Sequence, residues 1–373
     1  SYKRKKITIP FRDEKDDFSD IEYKNESSED TSEAYPSLNL TTVPEINTTK
    51  FIPESQGRDW NAEYQYLMEC LFDDDNAIDK MRSLCEAFAK VAKEIGTIII
   101  SELFLPPEYR TIPPITSTVG GVAGGEKYVY SPEGIFFKFA VDERGIYGGD
   151  EFIMKAAGQE LKSLLELMDC RVQGIHFPLM VLVDYRGYRL IAMPLLPVGP
   201  DTLVYGSADG GSTIYSISSE MNVRMQLIGS ILNLAGHDVW NLDHTEKTTL
   251  YAPVDIEGHL GRDDRFYILD TARLFPPSIP VAGLKGCHLY RLLRPELVKN
   301  NPVPLCSDAY STWEIENIVS YNEDIAEATH RLENEVIPDF GENLQLWFSN
   351  NNNNNNNIDN NIDNDESYDY SSG

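Results

Sequence analysis

Apolar residues recur at helical spacing from Ile78 through Met81, Leu84, Cys85, Phe88, Val91 and Ala92 to Ile95, behind the polar run Asp73-Asp74-Asp75-Asn76 that offers helix caps. Gly96 is expected to stop this helix, and Thr97-Ile-Ile-Ile100 to form a short strand after it. Pro106, Pro107, Pro113 and Pro114 link into strands at 127–130 and 135–140, joined by Ser-Pro-Glu-Gly, whose Pro and Gly suit a tight turn. Asp150 is placed to cap a helix with Ile153, Ala157, Leu161, Leu164 and Met168 on one face. A further hairpin, 179–183 with 188–193, turns at Tyr185-Arg-Gly, and Pro194-Leu-Leu-Pro-Val-Gly-Pro200 reads as a stiff connector. Met225, Ile228, Ile231 and Leu232 then mark a helix ending at Gly236, and helices are expected at 289–298, 311–319 and 322–334. A strand-rich half therefore precedes a helix-rich half, which predicts an α+β fold of two lobes, β-rich first and helical second.

Both ends differ from this pattern. Residues 1–56 are rich in Ser, Thr, Asp, Glu and Pro with few apolar positions, and 350–373 is an asparagine-led low-complexity run. Neither composition repays the entropy of ordering, so both are expected to be disordered. Hydrophobic content of 41% over 373 residues supports a real core between them. The formal net charge of −28 repels phosphate backbones and anionic lipid heads, which weighs against broad nucleic-acid or membrane affinity. The basic opening Tyr-Lys-Arg-Lys-Lys is too short to change that and reads as a solubilising tail. Five cysteines without a CxxC pair suit reduced thiols, and no stretch is long and apolar enough to span a bilayer or form a leader. A soluble, cytoplasmic protein is expected.

The candidate chemistry lies in the order of a few polar residues. A glycine-rich hairpin containing Gly120, Gly121, Gly124 and Gly125 comes first, then Lys138 in an apolar strand, Glu160 on the next helix, Asp255, and Asp270 at the end of Arg-Phe-Tyr-Ile-Leu-Asp. A protein kinase uses that order to grip nucleotide phosphates and metal, so the two-lobed fold is expected to be kinase-like. In that reading Gly120, Gly121, Lys138 and Glu160 bind ATP, Asp270 and His259 hold Mg²⁺, and Asp255 is the base.

Each assignment has a plainer alternative. Lys138 suits a solvated sheet face with its stem over Phe137 and Phe139, and helix surfaces are full of glutamates like Glu160. The glycine pairs match neither GxGxxG nor a P-loop and suit a flexible hairpin. Asp-Thr-Ala-Arg after the last strand lacks the glycine of a kinase metal loop, so Arg273 is free to pair with Asp270. Histidine is a poor magnesium ligand, and Asp255, Glu257 and His259 suit a structural hydrogen-bonded loop. His237, His244 and His259 lack regular metal-ligand spacing, and His237 reads as a cap or turn residue. The same residue order thus fits a catalyst or a kinase-shaped pseudokinase scaffold. Arg291, Arg294 and Lys299 are the candidates for a local basic patch that binds RNA, or for a solvated helix face.

Several blocks resemble one family. They are Gly-Ile-Phe-Phe-Lys-Phe-Ala around Lys138, Tyr147-Gly-Gly-Asp-Glu, Lys155-Ala-Ala-Gly-Gln-Glu-Leu-Lys and His176-Phe-Pro-Leu-Met. Downstream follow Asp184-Tyr-Arg-Gly-Tyr-Arg-Leu-Ile-Ala-Met, Thr202-Leu-Val-Tyr-Gly-Ser, Asp255-Ile-Glu-Gly-His-Leu-Gly, Arg265-Phe-Tyr-Ile-Leu-Asp-Thr-Ala-Arg-Leu-Phe-Pro-Pro and Leu289-Tyr-Arg-Leu-Leu-Arg-Pro-Glu. In this order they resemble the central domain of the clustered-mitochondria (CLU) family across 57–315, leaving 316–349 as a helical extension. The resemblance implies a cytosolic protein acting on mitochondrial distribution through cytosolic, mitochondria-associated proteins. It also implies messenger RNA as a partner, as for full-length members with further N-terminal domains and C-terminal tetratricopeptide repeats. The strong negative charge weighs against that partner here.

Overall fold

Residue 59 opens the first helix because its carboxylate accepts a hydrogen bond from the Ala62 amide at 2.9 Å, the capping geometry that satisfies an otherwise unpaired donor. This helix, α1, is Trp60–Cys70. The computed structural model describes residues 57–71, 76–115 and 124–362, all within one compact unit, Pro53–Gly373. The expected 1–56 tail, the caps Asp73, Asp74 and Asp75, the glycines Gly120 and Gly121, and the end of the chain beyond 362 lie outside the described residues.

The second helix corrects two expectations. α2 runs unbroken over Ala77–Ser101, so Gly96 does not stop it and the isoleucines after it form no strand. Gly96 is buried where α2 meets the first sheet: a Cβ there would lie 3.1 Å from Val183 Cγ1 and 3.4 Å from Leu190 Cδ1. Here the missing side chain permits close packing, and burial of Ile95, Ile99 and Ile100 outweighs the low helix propensity of one glycine.

The first sheet has the order β1-β2-β5-β4, with β1 Lys127–Tyr130, β2 Ile135–Phe139, β4 Val181–Tyr185 and β5 Tyr188–Pro194, all antiparallel. The hairpins at Ser131-Pro-Glu-Gly and Arg186-Gly187 stand as expected; Arg186 and Gly187 both have positive φ, at 49° and 85°, as a two-residue hairpin turn requires. Strand alternation divides the sheet's side chains. Tyr128, Phe137, Phe139, Leu190 and Ala192 pack with α1 and α2. Phe136, Ile191 and Met193 pack against α3, Asp150–Asp169, on the other face. Lys138 shares that second face. The N-cap of α3 is Gly149 rather than Asp150; Asp142 organises the approach by accepting from the amides of Ile146, Tyr147 and Gly149.

After the connector the chain is not mainly helical. Six strands lie between Leu203 and Leu269: β6 Leu203–Gly206, β7 Tyr215–Ser216, β8 His237–Trp240, β9 Lys247–Leu250, β10 Glu257–Leu260 and β11 Phe266–Leu269. None exceeds four residues, too short for alternation to stand out from a helical period. With the two-residue β3, Ile175–His176, four of them form a second sheet of order β3-β11-β10-β6-β7, while β8 pairs with β9. α4, Ser219–Leu232, buries Met221, Met225, Ile228 and Leu232 in the largest core cluster, beside Tyr205 and Ile268. It ends at Asn233, left-handed at φ 59°, and not at Gly236.

Beyond Phe275-Pro-Pro the expected helix at 289–298 shrinks to α5, Pro295–Lys299, and the expected pair at 311–319 and 322–334 becomes mainly one helix, α6, Ile318–Arg331. A π-helical turn at Leu332–Val336 leads into α7, Ile337–Ile362, which carries helical backbone on into the asparagine run. The fold is thus mixed α+β, with helices and sheets in both halves. Among the described residues no helix is long and apolar enough to cross a membrane.

Candidate functional site

Three of the residues singled out in the sequence meet between α3 and the two sheets. Lys138 projects from β2 and its Nζ donates to Asp270 Oδ1 at 2.9 Å. Neither is a freely solvated surface charge: the lysine side chain is 14% exposed and the aspartate 27%. Asp270 closes β11 in a left-handed conformation, φ 51°, which a short polar side chain tolerates better than most. The following turn is tied to α3, because Thr271 Oγ1 donates to the Glu160 carbonyl at 2.9 Å.

Glu160 is not a surface glutamate. It is 3% exposed, and its Oε1 is buried with no hydrogen-bond partner. Burial pushes its carboxyl up to about 7; Lys138 opposes this, while Asp270, Glu257 and Asp255 add to it. For Lys138 burial works against the charge, but the carboxylates of Asp270 and Glu160 outweigh it and hold the ammonium above the ordinary lysine range. Gly124, Lys138, Tyr147, Glu160 and Ala272 line a cavity of about 40 Å³ at this point. That is room for a water or two, against roughly 300–1,000 Å³ for pockets that take small organic ligands.

A second cluster follows from Arg273. Sequence reading paired it with Asp270, but Asp270 is held by Lys138 and Arg273 turns to two other carboxylates. Its Nε donates to Asp255 Oδ2 at 2.8 Å and its Nη2 to Asp255 Oδ1 at 2.9 Å, a bidentate grip, and Nη2 also donates to Asp308 Oδ1 at 2.6 Å. Asp308 Oδ2 accepts from the Val254 amide at 2.8 Å and lies 2.9 Å from His237 Nε2. The side chains of Asp308 and His237 are completely buried. Burial disfavours a charged His237, yet the neighbouring Cys306 and Asp308 reverse this and raise it well above the ordinary histidine value. Burial likewise opposes charge on Asp308, and Arg273 and His237 hold its carboxyl below the usual range.

His259, on β10, is buried with Nδ1 3.0 Å from Thr202 Oγ1 and Nε2 3.2 Å from Glu257 Oε2, so both ring nitrogens are engaged by protein. Burial and the nearby Asp270 raise the Glu257 carboxyl above its ordinary value, which His259 counters. Of the loop network expected from Asp255, Glu257 and His259, the last two are bonded and Asp255 belongs to Arg273. His244 lies apart on an exposed pair with Glu314, and His237 opens β8 inside the core instead of capping a turn. Among the described residues no group of three or more His, Cys, Asp or Glu is arranged to hold a metal ion.

Asp308 is the residue that sequence reading missed. It sits in Leu305-Cys306-Ser307-Asp308-Ala309, and its only signal is a carboxylate inside a buried run. The proposed basic patch is partly neutralised: Lys299 Nζ is 2.6 Å from Glu166 Oε2 and Arg294 Nε 3.5 Å from Glu296 Oε2. A larger, shallow hollow of about 570 Å³ lies beside the β4–β5 turn, lined by Glu151, Lys155, Asp184, Arg186 and Arg189. Asp184 and Arg189 pair there through two bonds of 2.7 Å.

Lys138, Glu160, Asp255, His259, Asp270 and Arg273 all fall inside one matched region. The model of the family "Clustered mitochondria" matches residues 59–280, and the chain belongs to this CLU family. A Neurospora crassa clustered mitochondria protein homolog is 27% identical over 261 residues, covering 65% of this chain and 19% of the relative. An Anopheles gambiae homolog of the same name is 30% identical over 238 residues, covering 61% of this chain and 16% of the relative. The protein clueless of Drosophila mojavensis is 32% identical over 167 residues, covering 43% of this chain and 11% of the relative. The chain therefore spans less than a fifth of the length of these relatives. No solved structure matches it.

Proposed function

We propose that this chain is a non-catalytic CLU protein-interaction module that acts in the cytoplasm and supports the intracellular distribution of mitochondria. Family membership and the relatives' names supply the organelle. The observation that carries the non-catalytic part is the commitment of the charged groups to one another. Lys138 is held by Asp270, Asp255 is gripped by Arg273, and both His259 nitrogens are bonded. Displacing them for a nucleotide or a metal ion costs their mutual attraction in a semi-buried site. Partners on this reading are cytosolic, mitochondria-associated proteins. Binding of messenger RNA is disfavoured by the −28 charge and by the acidic neighbours of Arg294 and Lys299.

One observation favours a second reading, an atypical kinase-like phosphotransferase or nucleotidyl transferase. A strand lysine, a helix glutamate and an aspartate after a later strand converge, and the first sheet with α3 precedes a proline-rich connector. This supports a kinase-like arrangement in which Lys138 would hold phosphate and Asp270 Mg²⁺. The cavity of about 40 Å³ beside them does not fit ATP.

Deletion of the gene followed by rescue tests the proposal. Mitochondria are expected to cluster on deletion, and folded Lys138→Ala and Asp270→Asn variants are expected to restore their spread. Normal dispersal after deletion removes the organelle role; failure of both folded variants to rescue favours the enzyme.

A further inference from the structure

The last described helix has an apolar face that none of the described residues covers. Every residue over 333–349 is exposed. Within α7, Ile337, Phe340, Leu344 and Trp347 follow one another at spacings of three, four and three, with Phe348 beside them, and these five side chains are 42–67% exposed. Propensity does not hold such a helix: Pro338, Asp339, Gly341, Asn343 and the asparagines that follow are all weak helix formers. A helix of this composition persists in water by burying its apolar stripe.

The spacing and the charges indicate what buries it. Three-four-three is the seam of a heptad, with Ile337 and Leu344 at one core position and Phe340 and Trp347 at the other. The flanking positions of α7 that face a partner helix are Gly341, Asn343 and Phe348, none of them charged. Asp339 and Glu342 fall on the outer face, where the exposed Leu346 also lies, so two copies of this helix meet without apposed carboxylates. An anionic lipid surface suits it poorly, because α7 carries no Lys or Arg. The five apolar side chains would remove roughly 100 Å² each, on the order of 1,000 Å² for two copies, the lower limit for a stable specific interface.

We propose that α7 pairs with α7 of a second copy of this chain as a short two-stranded coiled coil. The interface lies outside the matched CLU region and leaves the Lys138 cluster untouched. An interface of this size falls at the weak end of specific ones, so the association is expected to depend on concentration.

Sedimentation of the full chain over about 1–200 μM tests this. The mass is expected to rise from one chain of 42.2 kDa towards two. Phe340→Glu and Leu344→Glu are each expected to weaken association by roughly a hundredfold, since both copies lose a central anchor. Val319→Glu, an exposed apolar position on α6, should leave it unchanged. At concentrations where all four are monomeric they should melt alike, because no α7 residue belongs to a core cluster. A monomer throughout the range, or a dimer that survives both α7 substitutions, overturns the proposal. A monomer whose 337–348 amides resist hydrogen exchange overturns it as well, and assigns the stripe to the chain's own surface.

Discussion

Lys138 Nζ and Asp270 Oδ1 stand 2.9 Å apart across 132 positions of sequence, joining the first sheet to the end of the second. Replacing Lys138 by Met leaves Asp270 and the buried Glu160 without their cation. The single substitution is expected to lower stability by about 1–3 kcal/mol in urea denaturation. Lys138→Met combined with Asp270→Asn should cost less than the sum of the two, by about 1 kcal/mol or more. Simple additivity would show that the pair contributes no coupling.

Arg273 is the hub of the second cluster, and it is fully committed to Asp255 and Asp308. Arg273→Met strips the counter-charge from a completely buried Asp308 and is expected to destabilise by about 3–5 kcal/mol. Arg273→Lys keeps the charge but loses the bidentate fork, so it should recover only part of that loss. Thermal unfolding of both variants checks the order.

The pH dependence follows from Glu160. Its folded value of about 7 exceeds the ordinary 4.5, so the folded state holds this proton more tightly than the unfolded chain. Its contribution is present below about 4.5 and is lost as pH rises through about 7. Glu160→Gln should therefore match the parent near pH 5 and exceed it by about 2 kcal/mol at pH 8. His237, raised well above its ordinary 6.5, also loses its contribution as pH climbs from that value. An unfolding free energy that rises from pH 6 to pH 9 contradicts both assignments.

Gly96 separates a packing role from a helix stop. On propensity alone, Gly96→Ala inside α2 gains about 1 kcal/mol. The new Cβ would sit 3.1 Å from Val183 Cγ1 on a strand of the first sheet, so net destabilisation of about 1–2 kcal/mol is expected instead. A stabilised variant in chemical denaturation would show that α2 can move off the sheet.

Much of the site is legible in the sequence because each residue interrupts an apolar run. Lys138 does so in Ile-Phe-Phe-Lys-Phe and Asp270 at the end of Phe-Tyr-Ile-Leu, and alternation then assigns Lys138 to the face opposite Phe137 and Phe139. What alternation cannot give is the partner on that face, so Arg273 is as good a match for Asp270 as Lys138 until the two sheets are placed. Asp308 is hidden for the same reason: its partners, His237, Val254 and Arg273, are brought together only by the tertiary fold. The first sheet's hairpins can be read from their turn residues, whereas strands of two to four residues between Leu203 and Leu269 carry too few positions to show a period. Gly96 misleads because a helix interior and a helix end use glycine for different reasons.

Calorimetric titration of the full chain with ATP and Mg²⁺, alongside Lys138→Ala and Asp270→Asn, tests the non-catalytic reading most directly. With all three proteins folded, no saturable heat is expected at millimolar nucleotide, because Lys138 and Asp270 hold each other and the cavity beside them is about 40 Å³. Metal-dependent binding to the parent that disappears in both variants would contradict the account and make the Lys138–Asp270 cluster a nucleotide site.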